Sequence, residues 1–286
     1  MSERELQPWN HLMDQDIISI SGGHEINPPR RSTAAGAAII CADVALLCAL
    51  MLLPGDTRQW TAAALALLAV CAVVLRSVQA VHLSLFCLLW AALPLVFPAS
   101  RPWPFSLIIP VAVYGVTAAA LPPLRRSFGW LRRGRPGYDI LVPMTATVVL
   151  SGIALVIWYV AAKPDHDQFL RYMPRMPVWM FPLAGLGFAM GNAALEEAIF
   201  RGIVMDALDS ALGPGPASIL LQSVPFAILH LSGFPGGGWG MAMVLVYGLA
   251  LGSIRRRSRG MLAPWLTHVA ADGVIFAILV RVVLHG

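Results

Sequence analysis

Two adjacent carboxylates, Glu196 and Glu197, interrupt a segment that is otherwise largely apolar from Val178 to Ile203, and Arg201 follows four residues after Glu197. On a helix the second acid and the guanidinium share a face. Each such group costs about 2.5–3.5 kcal/mol at bilayer depth even on a lenient insertion scale, so a chain keeps them there for a reason. Two more same-face pairs follow downstream, Phe226 with His230 and His268 with Asp272, and Asn192 stands one turn before Glu196. These residue types suit hydrolysis. A carboxylate and an imidazole converging on one water can deprotonate it for attack on a carbonyl. A second imidazole can donate to the oxyanion that develops. Neighbouring carboxylates in a low dielectric divide naturally into a base and a structural partner, with Arg201 as counter-ion to one of them.

The elements that must position these groups are membrane helices. Of the 286 residues 58% are hydrophobic and only 12% charged, and the mean hydropathy is +0.71, whereas globular chains carry about 25% charged residues. The formal charge of +5 is almost all arginine, Lys163 being the one lysine. Arginines that flank apolar spans fit anionic lipid surfaces rather than nucleic acid, so the partners expected are the bilayer and a membrane protein or peptide substrate. Cys41, Cys48, Cys71 and Cys87 all lie in apolar segments without CxxC spacing and read as small buried hydrophobes. Nothing in the motifs calls for a cofactor or a resident metal.

The pattern gives an all-α polytopic membrane bundle of about 8–9 transmembrane helices. Residues 1–33 form a polar tail without an apolar signal core, so the first span is expected to act as an uncleaved anchor. Spans are expected near 34–53, 60–75, 79–97, 105–121, 139–162, 178–209, 217–231, 239–254 and 261–284. Residues 34–162 carry no assignable motif, and 178–284 hold the unusual polar groups. With the N-terminus in the cytoplasm, the basic connections at Arg76, Arg125–Arg135 and Arg255–Arg259 all fall inside. Trp60, Trp103, Trp158, Trp179 and Trp239 then sit at the outer interface as an aromatic belt. An Ala-, Arg- and Gly-rich composition points to a bacterial inner membrane.

The turn at Gly213-Pro214-Gly215-Pro216 makes the sixth and seventh spans antiparallel neighbours. Counting from it places Glu196 and His230 each ~20 Å deep, able to face one another. His268 lies only ~10–13 Å from its own basic loop, a mismatch that calls for tilt, a bend or a sunken connection. Each feature alone has a plainer reading. A membrane histidine is ordinarily a helix–helix hydrogen-bond donor, a Glu–Arg pair a neutralising brace, and a phenyl ring a pocket wall. His82 and Asp43 read as internal hydrogen-bond partners, and Pro235–Gly238 as a flexible turn that could also gate access. Coincidence on three helices favours a shared site.

This arrangement resembles the CAAX protease and bacteriocin-processing (CPBP, or Abi) family of intramembrane glutamic endopeptidases, marked by EExxxR, FxxxH and HxxxN/D on successive helices. Here the motifs stand as Glu196-Glu197-Ala-Ile-Phe-Arg201, Phe226-Ala-Ile-Leu-His230 and His268-Val-Ala-Ala-Asp272, with Phe200 and Gly202 completing EExxFRG. The resemblance covers roughly residues 180–275. It implies that Glu196 with His230 activates water, that His268 and residue 272 stabilise the oxyanion, and that Glu197 and Arg201 shape the site. An ionised aspartate cannot donate a hydrogen bond as asparagine does, so Asp272 must be protonated or must orient His268. Two other functions compete. Two histidines and a glutamate could ligate zinc in a membrane hydrolase, although HExxH is absent. A non-catalytic scaffold or immunity protein could keep the motifs for packing. A transporter would call for paired, symmetry-related broken helices, which the sequence lacks.

Overall fold

The structure, a computed structural model, describes residues 31–135, 137–164 and 176–285. Among these residues it is helical without strands. The helices are α1 (Ala34–Leu52), α2 (Arg58–Val74), α3 (Val78–Val96), α4 (Phe105–Ala120), α5 (Tyr138–Ala162), α6 (Phe181–Glu196), α7 (Met205–Leu212), α8 (Pro216–Leu229), α9 (Gly237–Ser258) and α10 (Leu262–His285). A π-helical segment, Glu197–Val204, joins α6 to α7 in one rod. Seven of these rods are long and apolar enough to cross a membrane, and α4 and α8 are apolar but shorter. The polytopic helical bundle expected from composition is therefore present, and the protein is integral to a membrane. The tail before Arg31 and the loop at 165–175 lie outside the described residues.

Three local differences from expectation bear on the site. The sixth span is not a uniform helix but carries the π segment, beginning at the second acid. Helix α8 has 14 residues, hence a length of ~21 Å, and cannot cross a hydrocarbon core of about 30 Å. Its chain turns back at His230–Gly236, where His230 N–H bonds the Ala227 carbonyl and Gly233 N–H bonds the His230 carbonyl. Irregular backbone at such depth is tolerated only where it is buried in protein or lines a hydrated cavity. Lastly, Trp158 is not part of an interfacial belt. It is 6% exposed and stacks edge-on against Phe234, whereas Trp60, Trp179 and Trp239 are open. Cys41 likewise faces outward, and of the four cysteines only Cys87 is buried.

In lipid, apolar burial does little to hold helices together, so close approach and internal hydrogen bonds must. Gly248 lets α9 lie against α8: a Cβ there would sit 2.9 Å from Ser223 Oγ and 3.2 Å from a ring carbon of Phe226. Gln222 then donates across the same contact to the Gly248 carbonyl at 3.1 Å. Gly202 does the same for the π segment, because a Cβ there would meet the Trp130 ring at 2.8 Å. Helices α1, α3 and α4 bury the rear of that segment. Ile40, Leu47, Leu83 and Phe86 share one core with Ile199, Phe200, Ile203 and Leu208. Asp43 and His82 serve this packing. Ser84 Oγ donates to Asp43 at 2.5 Å. His82 bridges the Tyr114 and Ser127 hydroxyls at 2.7 Å each.

The depth mismatch of His268 is resolved by a sunken loop. Arg256 grips Asp209 through both terminal nitrogens, at 2.9 and 2.7 Å. Arg255 approaches Asp206 to 3.9 Å. The α9–α10 connection is thus drawn to the level of residues 206–209, about 6 Å inward of the 213–216 turn. Met261 N–H and Leu262 N–H further zip onto the Arg132 and Arg133 carbonyls.

Candidate active site

Helix α6 and the π segment deliver the two acids in different directions. Glu196, the last residue of α6, lines a cavity of about 1070 Å³. Glu197 stands behind it, buried, and accepts from Arg201 Nη1 at 2.9 Å. The same Glu197 oxygen, Oε1, also accepts from His268 Nδ1 at 2.9 Å. The other ring nitrogen, His268 Nε2, lies 3.4 Å from Glu196 Oε2 and 3.7 Å from Asp272 Oδ1. One imidazole from α10 therefore touches both acids of the rod. Its orientation is fixed by the carboxylate that faces away from the cavity.

The remaining motif residues surround this core. Asp272 Oδ2 accepts from the Asn192 amide at 3.0 Å. Phe226 is buried beneath Arg201, whose guanidinium carbon is 4.1 Å from the ring centroid, a cation–π contact. The ring meets His230 and His268 edge-on at 5.0 and 6.0 Å between centroids. Phe226 is thus the spacer that both imidazoles lean on, more than a passive wall. His230 is not within a helix, as its place in an apolar span suggests, but caps the C-terminus of α8. There its Nδ1–H donates to the Phe226 carbonyl at 3.0 Å. In a neutral ring that bond leaves Nε2 as the acceptor.

Asn192, Glu196, Phe226, His230, His268 and Asp272 all line the one cavity, whereas Glu197 and Arg201 do not. The expected residues are brought together, and they sort into a lining set and a supporting pair. Among the described residues no three His, Cys, Asp or Glu side chains are disposed to hold a metal ion. Sequence reasoning passed over Tyr247 on α9. Its ring meets His268 edge-on at 5.5 Å, the residue lines the cavity, and its buried hydroxyl has no hydrogen-bond partner among the described residues. A lone phenol in an otherwise apolar span was the available signal. The first four helices and the α3–α4 connection contribute as well: Leu50, Arg58, Trp90, Arg101 and Leu107 line the far part of the cavity. The cavity runs from Glu196 toward the α1–α2 and α3–α4 connections, the end of the bundle opposite the 213–216 and 259–261 turns.

Comparison with known proteins points to the same stretch of the chain. Residues 176–274 match the model of the Rce1-like family, described as type II CAAX prenyl endopeptidase Rce1-like. The match spans 99 of the 286 residues and indicates a hydrolase of peptide bonds. No curated protein and no solved structure matches the chain.

Proposed function

We propose that the protein is an intramembrane endopeptidase of glutamic type, with Glu196 as the base that activates water. The observation that carries this reading is the single imidazole, His268, held by Glu197 on one nitrogen and facing Glu196 and Asp272 with the other. Glu196 takes a proton from the water as its oxygen attacks the carbonyl carbon. His230 Nε2 accepts from the same water and orients it. The oxyanion is met by His268 Nε2–H, which requires the imidazolium form because Nδ1–H is already committed to Glu197. The Asn192 amide supplies a second donor: it binds Asp272 and also reaches Glu196, and as Glu196 takes the proton of the water one N–H turns to the oxyanion. Asn192 thereby stands in for the donor that an ionised Asp272 cannot be. As the C–N bond breaks, Glu196 returns its proton to the leaving amine, so no proton is left over.

The substrate class is a membrane-associated protein or peptide. An apolar cavity wall with arginines at its far end suits an extended segment entering from the membrane surface. The arginine-rich connections favour a cytoplasmic N-terminus in a bacterial inner membrane. On that orientation the cavity opens away from the cytoplasm, and the bond cut is reached from outside. The test compares peptide ends of membrane proteins by mass spectrometry in a deletion strain complemented with the natural gene or with Glu196→Gln. Ends restored by the natural protein and missing with the variant name the substrate. Ends restored equally by both overturn the assignment and favour a scaffold.

A further inference from the structure

We infer a second binding site, for a phosphate-bearing anion, in a pocket on the arginine-rich end of the bundle that shares no lining residue with the cavity of the acid cluster. Arg132, Arg255, Arg256 and Arg259 line a pocket of about 160 Å³, floored by Gly129 and Gly260 and flanked by Trp130. That volume equals about five waters of bulk liquid, room for a phosphate with part of its hydration.

The four guanidiniums come from the α4–α5 connection and from the C-terminal end of α9, far apart in sequence, and the backbone forces them together. Arg135 N–H bonds the Ser258 carbonyl at 2.8 Å and Met261 N–H bonds the Arg132 carbonyl at 2.7 Å. Gly134 and Gly260 press so closely that neither has room for a Cβ. Two like-charged loops zipped in register repel unless something negative sits between them. Asp206 and Asp209 neutralise part of the charge, engaging Arg255 and Arg256. Four cations against these two carboxylates leave an excess of two; Arg132 lies within the field of Asp206, but neither it nor Arg259 makes a close ion pair among the described residues. Arg255 and Arg256 also each keep a buried Nε–H without a hydrogen-bond partner. Fixed guanidinium forks match the tetrahedral oxygens of a phosphate far better than they match a lone halide. Trp130 supplies the amphipathic ring usual at headgroup level.

The phosphate can come from a phospholipid headgroup in the adjacent leaflet or from solution, and the test separates the two. The purified full-length protein is titrated in neutral detergent with short-chain phosphatidylglycerol, short-chain phosphatidylcholine or inorganic phosphate, and its thermal unfolding is followed. A saturable rise in midpoint is expected. Protection by phosphatidylglycerol but not inorganic phosphate identifies the headgroup as the source, and equal protection by inorganic phosphate identifies the free anion. Arg259→Gln and, separately, Arg132→Gln should weaken the protecting ligand by 10-fold or more. Arg125→Gln with Arg126→Gln, a control on the same end but outside the pocket, should leave affinity unchanged. Both test residues are exposed, so each variant is expected to fold, and either alone decides. No saturable protection by any probe, or equal weakening by the control, would overturn the site and leave only diffuse surface charge.

Discussion

Adjacent glutamates with identical chemistry should fail in opposite ways when each is made an amide. Glu197 is 2% exposed at its side chain and Arg201 is 0% exposed. Glu197→Gln removes the counter-charge and leaves that guanidinium uncompensated in the interior. Stranding one member of a buried ion pair costs about 3–5 kcal/mol. At roughly 2–4 °C per kcal/mol for a chain of this size, the unfolding midpoint should drop by about 6–20 °C. Glu196→Gln leaves the Glu197–Arg201 pair intact, and His268 keeps its bond to Glu197, while Glu196 Oε2 gives up no hydrogen bond. Its midpoint should move by no more than about 2 °C, while turnover should fall by about 10²–10⁴-fold with the loss of the general base.

The assay pairs thermal unfolding of the purified variants with the amount of the substrate's new peptide end in cells. Arg201→Met tests the logic from the other side. In the Glu197→Gln background it removes the stranded cation, and a buried ion pair replaced by packed groups is often neutral in stability. The two changes together should cost less than their sum, with a coupling of about 3 kcal/mol, the upper end for residues in contact. If Glu196→Gln unfolds as readily as Glu197→Gln, or still makes product at the natural rate, the division of labour argued from the two orientations is wrong.

Three further outcomes follow from the same geometry. Asn192→Leu should lower kcat by about 10²–10³-fold with little change in KM, the usual effect of losing an oxyanion donor; adding Asp272→Asn should restore part of it, and no rescue would assign the donor elsewhere. Gly248→Leu drives a side chain toward Ser223 and Phe226, so it should cost about 1–3 kcal/mol of stability through overpacking and reduce activity without altering an ionisable group; full activity would mean that Phe226 does not set the imidazoles. Prolonged treatment with a strong chelator should leave peptide cleavage intact, and loss reversed by zinc would shift the chemistry to a metal-bound water.

The helices themselves were legible because lipid imposes a blunt rule, that backbone groups be satisfied within each span. Apolar runs between arginine and proline breaks therefore mark the helical rods to within a few residues, with α6, the π segment and α7 read as one span. What the runs cannot reveal is where a helix stops inside the apolar region. A single His230 between Leu229 and Leu231 does not end an apolar run on a windowed hydropathy count. Yet α8 ends at Leu229, because the Phe226 carbonyl is taken by the His230 side chain and the Ala227 carbonyl by its N–H. A polar residue that caps from within the pattern leaves no trace in periodicity. Trp158 misled for a related reason: an indole close to a predicted span end suggests the interface, and only packing against Phe234 shows it turned inward.

The site was legible in its membership and not in its division. Spacing of four brought Phe226 to His230 and His268 to Asp272, and composition alone made Glu196 and Glu197 costly enough to require a purpose. Which acid faces the cavity depends on the π segment, and an extra residue per turn is invisible in a sequence of Ala, Ile, Phe and Gly. The segment begins where α6 hands over from Glu196 to Glu197. Two neighbouring side chains thereby serve opposite surroundings, a cavity on one side and Arg201 with His268 on the other. Gly202 closes the same turn, its missing Cβ admitting the Trp130 ring and so anchoring the rod to the basic connection. The EExxFRG spacing thus reads as one mechanical unit. One acid is free to change its protonation, one is clamped by Arg201, and a glycine keeps the rod from rotating the two out of place.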